Sequence, residues 1–274
     1  MKKNILFTLS FIIFFSVSML LFYYSNFNTS NSNLVKVAIL DSGINQDHKF
    51  FSNINFKSYN AIDNNSKYTE DNYNHGTGIA SLIVDPLSKK DRSNVVVYNV
   101  KVINDNGIGK PSCMLGGLKW AIKEEVDIIN ISAGFQTNNP EIKKLISQAY
   151  EKGIVVIASA GNNLGFEVDY PAKLNQVISI SSISQSKTQS LTSSTGKIDF
   201  VSIGEGVKVA NNKNTYEVRN GSSFATAKVT AYLLHNMIKN GNLRGYEKSY
   251  HFLLDTADSS ISKENSIFGN GYIE

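Results

Sequence analysis

Cysteine is almost absent. Cys113 stands alone, so an internal disulfide framework and a cysteine-based zinc site within one chain are both excluded. Runs of one charge are also missing. The net charge is +4, or +2 with Lys2 and Lys3 set aside, and no Lys/Arg-rich stripe occurs, so nucleic acid is not an expected partner. There is no internal repeat and no glycine-rich phosphate loop. Gly107-Ile108-Gly109 lacks the third glycine and the helix that dinucleotide binding needs. Charged residues are sparse at 18%, but hydrophobic residues reach 42%, and that balance excludes a disordered or fibrous chain.

One long apolar run is present. Residues 5–24 hold twenty positions without a charge behind the basic head Met1-Lys2-Lys3-Asn4, enough to cross a bilayer as a helix. Residues 1–25 are therefore expected to be an uncleaved signal anchor, with a cleaved signal peptide as the alternative. The lysines would stay inside, leaving the rest of the chain outside at the cell membrane, or secreted if the leader is cut. The polar tract at 26–34 reads as a linker. Residues 35–274 then form one domain, large enough for a substantial core.

Within that domain, apolar strand-like runs alternate with helical patterns. Val35–Leu40, Val95–Val102, Val126–Ile131, Ile154–Ala158 and Val177–Ile180 read as strands. Met114, Leu115, Leu118, Ala121 and Ile122 share one helical face; Ile142, Leu145, Ile146 and Ala149 share another, with Pro140 near its start. A further helix is expected over Ser223–Lys239. This alternation predicts an α/β fold with a mainly parallel central sheet covered by helices on both faces. In such sheets functional groups gather at the carboxyl ends of the strands. Asp41 follows the first strand, Ser132 the third, and Asn162 comes shortly after the fourth.

Four segments stand out in order: Asp41-Ser42-Gly43-Ile44, His75-Gly76-Thr77-Gly78, Ala158-Ser159-Ala160-Gly161-Asn162 and Asn220-Gly221-Ser222-Ser223-Phe224-Ala225. Together they resemble the subtilisin-like serine proteases, the subtilases, and the likeness runs from about Val35 to the chain's end. It implies the three-layer subtilisin-like fold and a serine endopeptidase with Asp41, His75 and Ser223 as catalytic residues. The order Asp, His, Ser is the familiar one for this family. It also implies an oxyanion hole formed by the Asn162 side chain and the Ser223 backbone N–H. Of the two adjacent serines, Ser223 falls in the nucleophile's place and Ser222 in that of the family's threonine. The substrate peptide would lie between Ser132-Ala133-Gly134 on one side and Gly107-Ile108-Gly109 on the other, and the same glycines also read simply as turn residues. A lipase-like α/β-hydrolase is excluded, because its Gly-x-Ser-x-Gly motif and its order of catalytic residues are missing.

Several features set the chain apart within the resemblance. Asp169 occupies a place at the floor of the specificity pocket where well-known subtilisins carry a small residue. A carboxylate there favours Arg or Lys before the cut, while an ordinary solvated loop acid is the bland alternative. Glu167 adds negative charge nearby. Gly78 replaces a common histidine, Ala227 a common proline and Lys228 a common histidine. Asp85–Asn94 does not match the calcium loop of secreted relatives, and no metal or other cofactor is expected. Only a short stretch separates the apolar run from the first strand, where secreted subtilases carry a prodomain, so either unaided folding or a helper in trans is anticipated. A narrow processing protease, such as one removing leader peptides, is the favoured function. A catalytically inactive scaffold that binds peptides or partners is the alternative.

Overall fold

Alternation along the first strand sets the layers. In β1 (Val35–Asp41), Val35, Val37 and Ile39 pack into one hydrophobic cluster, and Ala38 and Leu40 into the other. A strand buried on both faces belongs to the middle of a parallel sheet. The computed structural model describes residues 34–261 and 266–274. The apolar run at 5–24, and with it the expected anchor and most of the linker, lies outside the described residues. Among the described residues, no helix is long and apolar enough to cross a membrane.

The sheet is completed by β2 (Asn55–Asn60), β3 (Val95–Lys101), β4 (Ile128–Ile131), β5 (Val155–Ser159), β6 (Ile178–Ile183) and β7 (Phe200–Ile203), all parallel, in the order β2-β3-β1-β4-β5-β6-β7. A separate antiparallel hairpin joins β8 (Val207–Ala210) to β9 (Tyr216–Arg219). On one face lie α1 (Gly76–Val84), α4 (Ser222–Lys239) and Leu253 of α5 (Tyr246–Thr256). The other face is covered by α2 (Pro111–Lys123) and α3 (Pro140–Glu151). The start of α3 is set locally. Pro140 sits in its first turn, and the Asn139 side chain accepts from the N–H groups of Glu141 and Ile142.

This order has a consequence for function. From β1 the chain fills one side of the sheet with β2 and β3, then crosses to the other side with β4. The crevice outside the carboxyl ends of β1 and β4 is therefore the point where strand order reverses, the usual ligand position in open parallel sheets. Asp41 is the last residue of β1, and Ser132 follows β4 directly.

The expected strands and helices form, with small shifts at their ends. The strand expected from Val126 begins at Ile128; Val126 still bonds back to Ala121 of α2, and Asp127 is the link that already bonds Lys36 and Val155. Three elements carry too weak a pattern to be expected. Edge strand β2 is largely exposed, β7 is four residues long, and β8–β9 packs only in part.

Leu118 is fully buried between α2 and the sheet. Leu118→Ala is expected to cost about 2–5 kcal/mol of stability, lost transfer energy plus cavity, read as a lower midpoint in urea denaturation.

Candidate active site

The site begins with a buried carboxylate. Asp41 is 1% exposed, and its Oδ1 accepts from the Ser42 N–H (2.7 Å), the Ser42 hydroxyl (3.2 Å) and His75 Nδ1 (2.8 Å). An ionised carboxylate only accepts, so Nδ1 carries the hydrogen and Nε2 keeps its lone pair. His75 immediately precedes α1, and its ring stands 5.4 Å from that of Phe224, next to Ser223 at the start of α4. The close approach of α1 requires glycine at position 76. A Cβ there would lie 2.2 Å from the Gly43 carbonyl oxygen.

A second buried acid, Asp71, was not singled out in the sequence. Its Oδ1 accepts from the Ser42 hydroxyl (2.7 Å) and the N–H groups of Asn74 (2.8 Å) and His75 (3.3 Å), and its Oδ2 from the Thr77 N–H (2.9 Å). Asp71 thus fastens the loop that delivers His75. Arg219 of β9 closes the same loop from outside, donating to the Asn74 carbonyl and pairing with Glu217. Burial pulls the His75 pKa down. The charge and hydrogen bond of Asp41, with the charge of Asp71, outweigh it, and Arg219 opposes them weakly. The result lies above the ordinary 6.5.

Ser223 is the second residue of α4, where an N–H has no carbonyl one turn back to bond. Its hydroxyl donates to the Ser132 carbonyl at 3.3 Å, which ties the helix start to the end of β4. Asn162 lies opposite. Its Oδ1 accepts from the Ser222 N–H (2.9 Å) and the Ser222 hydroxyl (3.0 Å). The amide's donor end, Nδ2, lies beside Gly221 and would be 3.2 Å from a Cβ at that residue, whose φ is +138°. The structure thus brings Asp41, His75, Ser132, Asn162 and Ser223 to one end of the sheet.

Ala133 and Gly134 lead from Ser132 to Phe135, which pairs with Tyr170 in a short antiparallel bridge. That bridge sets Asp169 between two walls. A Cβ at Gly134 would fall 2.5 Å from the Asp169 Cβ, and one at Gly161 would fall 2.6 Å from its Oδ2. Asp169 lines a cavity of about 410 Å³ together with Asn162, Asn163, Leu164, Phe166 and Lys173. Burial pushes its carboxyl up, although Asn163 donates to it. Glu167, expected to add negative charge, is neutralised by Lys173 at 2.5 Å. Among the described residues no cation is paired with Asp169.

Gly107 and Gly109 lie on a loop closed by the bridge from Ile103 to Gly109. Gly107 has φ +79°, and a Cβ on it would meet the Tyr73 ring at 2.3 Å, so Tyr73 shares this edge of the crevice. Gly109 has ordinary space around it.

The expected mismatch to a calcium loop has a physical form. Residues 89–92 make a single helical turn capped by Ser88, whose hydroxyl bonds the Asp91 carboxylate, while Arg92 turns to the Phe50 carbonyl. The donors present do not fit a calcium ion. Among the described residues no cluster of three or more His, Cys, Asp or Glu side chains could hold a metal.

Comparison with known proteins bears on family and fold. The Subtilase family profile matches residues 32–271. Subtilisin DY of Bacillus licheniformis is 31% identical over 204 residues, 71% of this chain and 73% of that protein. Subtilisin E of Bacillus subtilis (strain 168) is 32% identical over 204 residues, again 71% of this chain but 53% of that longer protein. Among solved structures, a cold adapted subtilisin-like serine proteinase superposes with a TM-score of 0.75 at 22% identity, covering 89% of this chain and 88% of the other. The prenylagaramide maturation protease PagA gives a TM-score of 0.71 at 22% identity, covering 88% and 90%. At that identity the two structures establish the fold.

The raised pKa of His75 fixes the sign of one pH effect. A group whose pKa rises on folding adds stability that is complete below its unfolded value, near 6.5, and is lost as pH climbs through the folded value. The imidazole of His75, followed by NMR, is expected to titrate above 6.5 and to fall in Asp41→Asn. The same substitution should flatten that part of the stability profile.

Proposed function

The chain belongs to the subtilase family of serine endopeptidases, and on that footing we propose that Asp41, His75 and Ser223 form its catalytic triad. The carrying observation is the 2.8 Å contact between Asp41 Oδ1 and His75 Nδ1, with the His75 ring 5.4 Å from that of Phe224, the residue after Ser223. Asp41 holds the imidazole in the tautomer that leaves Nε2 basic. The Ser223 hydroxyl turns from the Ser132 carbonyl and gives its proton to Nε2 as Oγ attacks the scissile carbonyl carbon. The new oxyanion receives hydrogen bonds from Asn162 Nδ2 and the Ser223 N–H. The positive end of the α4 dipole points the same way. The carbon–nitrogen bond then breaks, and His75 passes its proton to the leaving amine. Water, deprotonated by the same imidazole, releases the acyl group.

The specificity reading rests on Asp169. A half-buried carboxylate without a cationic partner, in a cavity also lined by apolar Leu164 and Phe166, suits the aliphatic stem and charged end of Arg or Lys. Cleavage after a basic residue in turn favours a narrow processing role over general digestion. PagA, a maturation protease by name, is a neighbour in fold and consistent with that role. The apolar run at 5–24 would hold the enzyme at the outer face of the cell membrane, with any folding helper supplied by another chain.

The full chain is to be profiled on a peptide library and labelled with a fluorophosphonate. The label is expected on Ser223 and absent in Ser223→Ala. Asn162→Ala is expected to lower kcat by about a hundred- to a thousandfold, from a barrier loss of about 2.7–4 kcal/mol. Arg and Lys should lead before the cut, and Asp169→Gly should reduce that preference about tenfold or more. Failure to label defeats the enzyme reading. Equal turnover of Arg and Phe peptides, or an unchanged preference in Asp169→Gly, defeats the basic specificity alone.

A further inference from the structure

Ser159 is the last residue of β5 and 5% exposed; Ser222 is the first residue of α4 and has no exposure. Sixty-three positions apart, their hydroxyl oxygens lie 2.6 Å from each other. Ser222 Oγ is also 3.0 Å from the Gly161 carbonyl and 3.0 Å from Asn162 Oδ1. Ser159 Oγ accepts from the Gly161 N–H at 3.3 Å.

Counting hydrogens decides the direction of this chain. Each hydroxyl has one proton to give. Gly161 O and Asn162 Oδ1 can only accept, so they draw on the proton of Ser222. If Ser222 instead donated to Ser159, the Ser159 proton would be left in a buried place whose other polar neighbour is an N–H donor. The satisfied arrangement is Ser159 donating to Ser222, and Ser222 sharing its one proton between Asn162 Oδ1 and the Gly161 carbonyl, each 3.0 Å away. Asn162 Oδ1 then holds two donors, the hydroxyl and the N–H of Ser222. A flipped amide would set NH2 against the Ser222 N–H and take an acceptor from the Ser222 hydroxyl proton, so Nδ2 is held on the Gly221 side.

We propose that Ser159, acting through Ser222, is a positioning residue for the Asn162 amide and fixes the donor that meets the oxyanion. The proposal rests on the oxyanion role of Asn162 given above. The relay joins the end of a sheet strand to the start of the helix that carries Ser223. It therefore locks the amide to both halves of the site before substrate arrives, which is the condition for a donor to favour the transition state over the ground state.

The test uses full-length protein with peptidyl-arginine and peptidyl-phenylalanine fluorogenic amides, taking the faster substrate. Ser159→Ala is expected to lower kcat about three- to tenfold, the scale of one hydrogen bond, with KM little changed. Ser159→Cys, similar in volume and a poor donor, should do the same if the alanine variant folds badly. Ser222→Ala should lose at least as much, and Ser222→Thr, which restores the hydroxyl, should recover it. In an Asn162→Ala background, Ser159→Ala should have no further effect. An equal loss in both backgrounds marks Ser159 as merely structural and overturns the proposal. So does an unchanged kcat in Ser159→Ala while Asn162→Ala is impaired. If Asn162→Ala itself leaves kcat intact, the oxyanion reading fails, and the relay loses its purpose with it.

Discussion

A carboxylate buried at the end of a central strand is the constraint around which the site is arranged. Removing Asp41 from water is costly unless hydrogen bonds replace its hydration. The protein supplies them to one oxygen: the Ser42 N–H and His75 Nδ1, with the Ser42 hydroxyl proton shared between Asp41 at 3.2 Å and Asp71 at 2.7 Å. Every one of these donors depends on a tight local path. The turn at Gly43 has φ +106°, and its missing side chain leaves room for the carbonyl of Thr69. Gly76 lets α1 descend onto that turn. Either position with a side chain would force the imidazole away from the carboxylate and leave the charge exposed to a low dielectric.

Asp71 solves the same problem from the other direction. It accepts three backbone N–H groups from the His75 segment and one hydroxyl from Ser42, so the two acids share the Ser42 side chain as a bridge. The β8–β9 hairpin then fastens the loop from above. The Asn212 side chain donates to the Asp71 carbonyl, the Asn212 N–H to the Asn74 side chain, and Arg219 to the Asn74 carbonyl. The hairpin adds little to the core, but it narrows the positions open to His75. It also explains why a glycine stands at position 78. A Cβ there would lie 3.1 Å from Val209 of β8, so a larger residue requires that side chain to give way.

How much of this was legible in the sequence depends on the range of each interaction. Asp41, Ser132 and Asn162 were readable because they follow near-continuous apolar strands. The buried strands and helices α2, α3 and α4 were readable for the same reason. Asp71 was not. It lies in a polar loop with no periodicity, and its partners are set by the way that loop folds under His75. Nor was Ser159, which continues an apolar strand and whose partner lies on a distant helix. Sequence alone left Asp169 open between pocket floor and solvated acid. Its contacts with Gly134 and Gly161 were not legible either, because they depend on two separate strand ends meeting.

Helix α4 carries the remaining burden, and its composition shows how. A nucleophile must be held in place by something stiffer than a loop. Ser223 is the second residue of an 18-residue helix that runs against β4, β5, β6 and β7 with Val229, Leu233 and Leu234 unexposed. Polar side chains peg it at fixed heights. Thr230 donates to Asn130 within β4, whereas Thr226 bonds back to the Ser222 carbonyl inside the helix. Asn130 in turn donates to the Ser132 hydroxyl. The helix start and the strand end therefore share a chain of hydrogen bonds as well as the Ser223 to Ser132 contact, so Ser223 cannot shift along its axis without breaking buried pairs. Ala227 and Lys228 lie within this pegged length. Lys228 is half-buried, and burial lowers its pKa against the pull of Glu274 and Asp85. Proline and histidine are not required there, because the pegs already define where the helix begins.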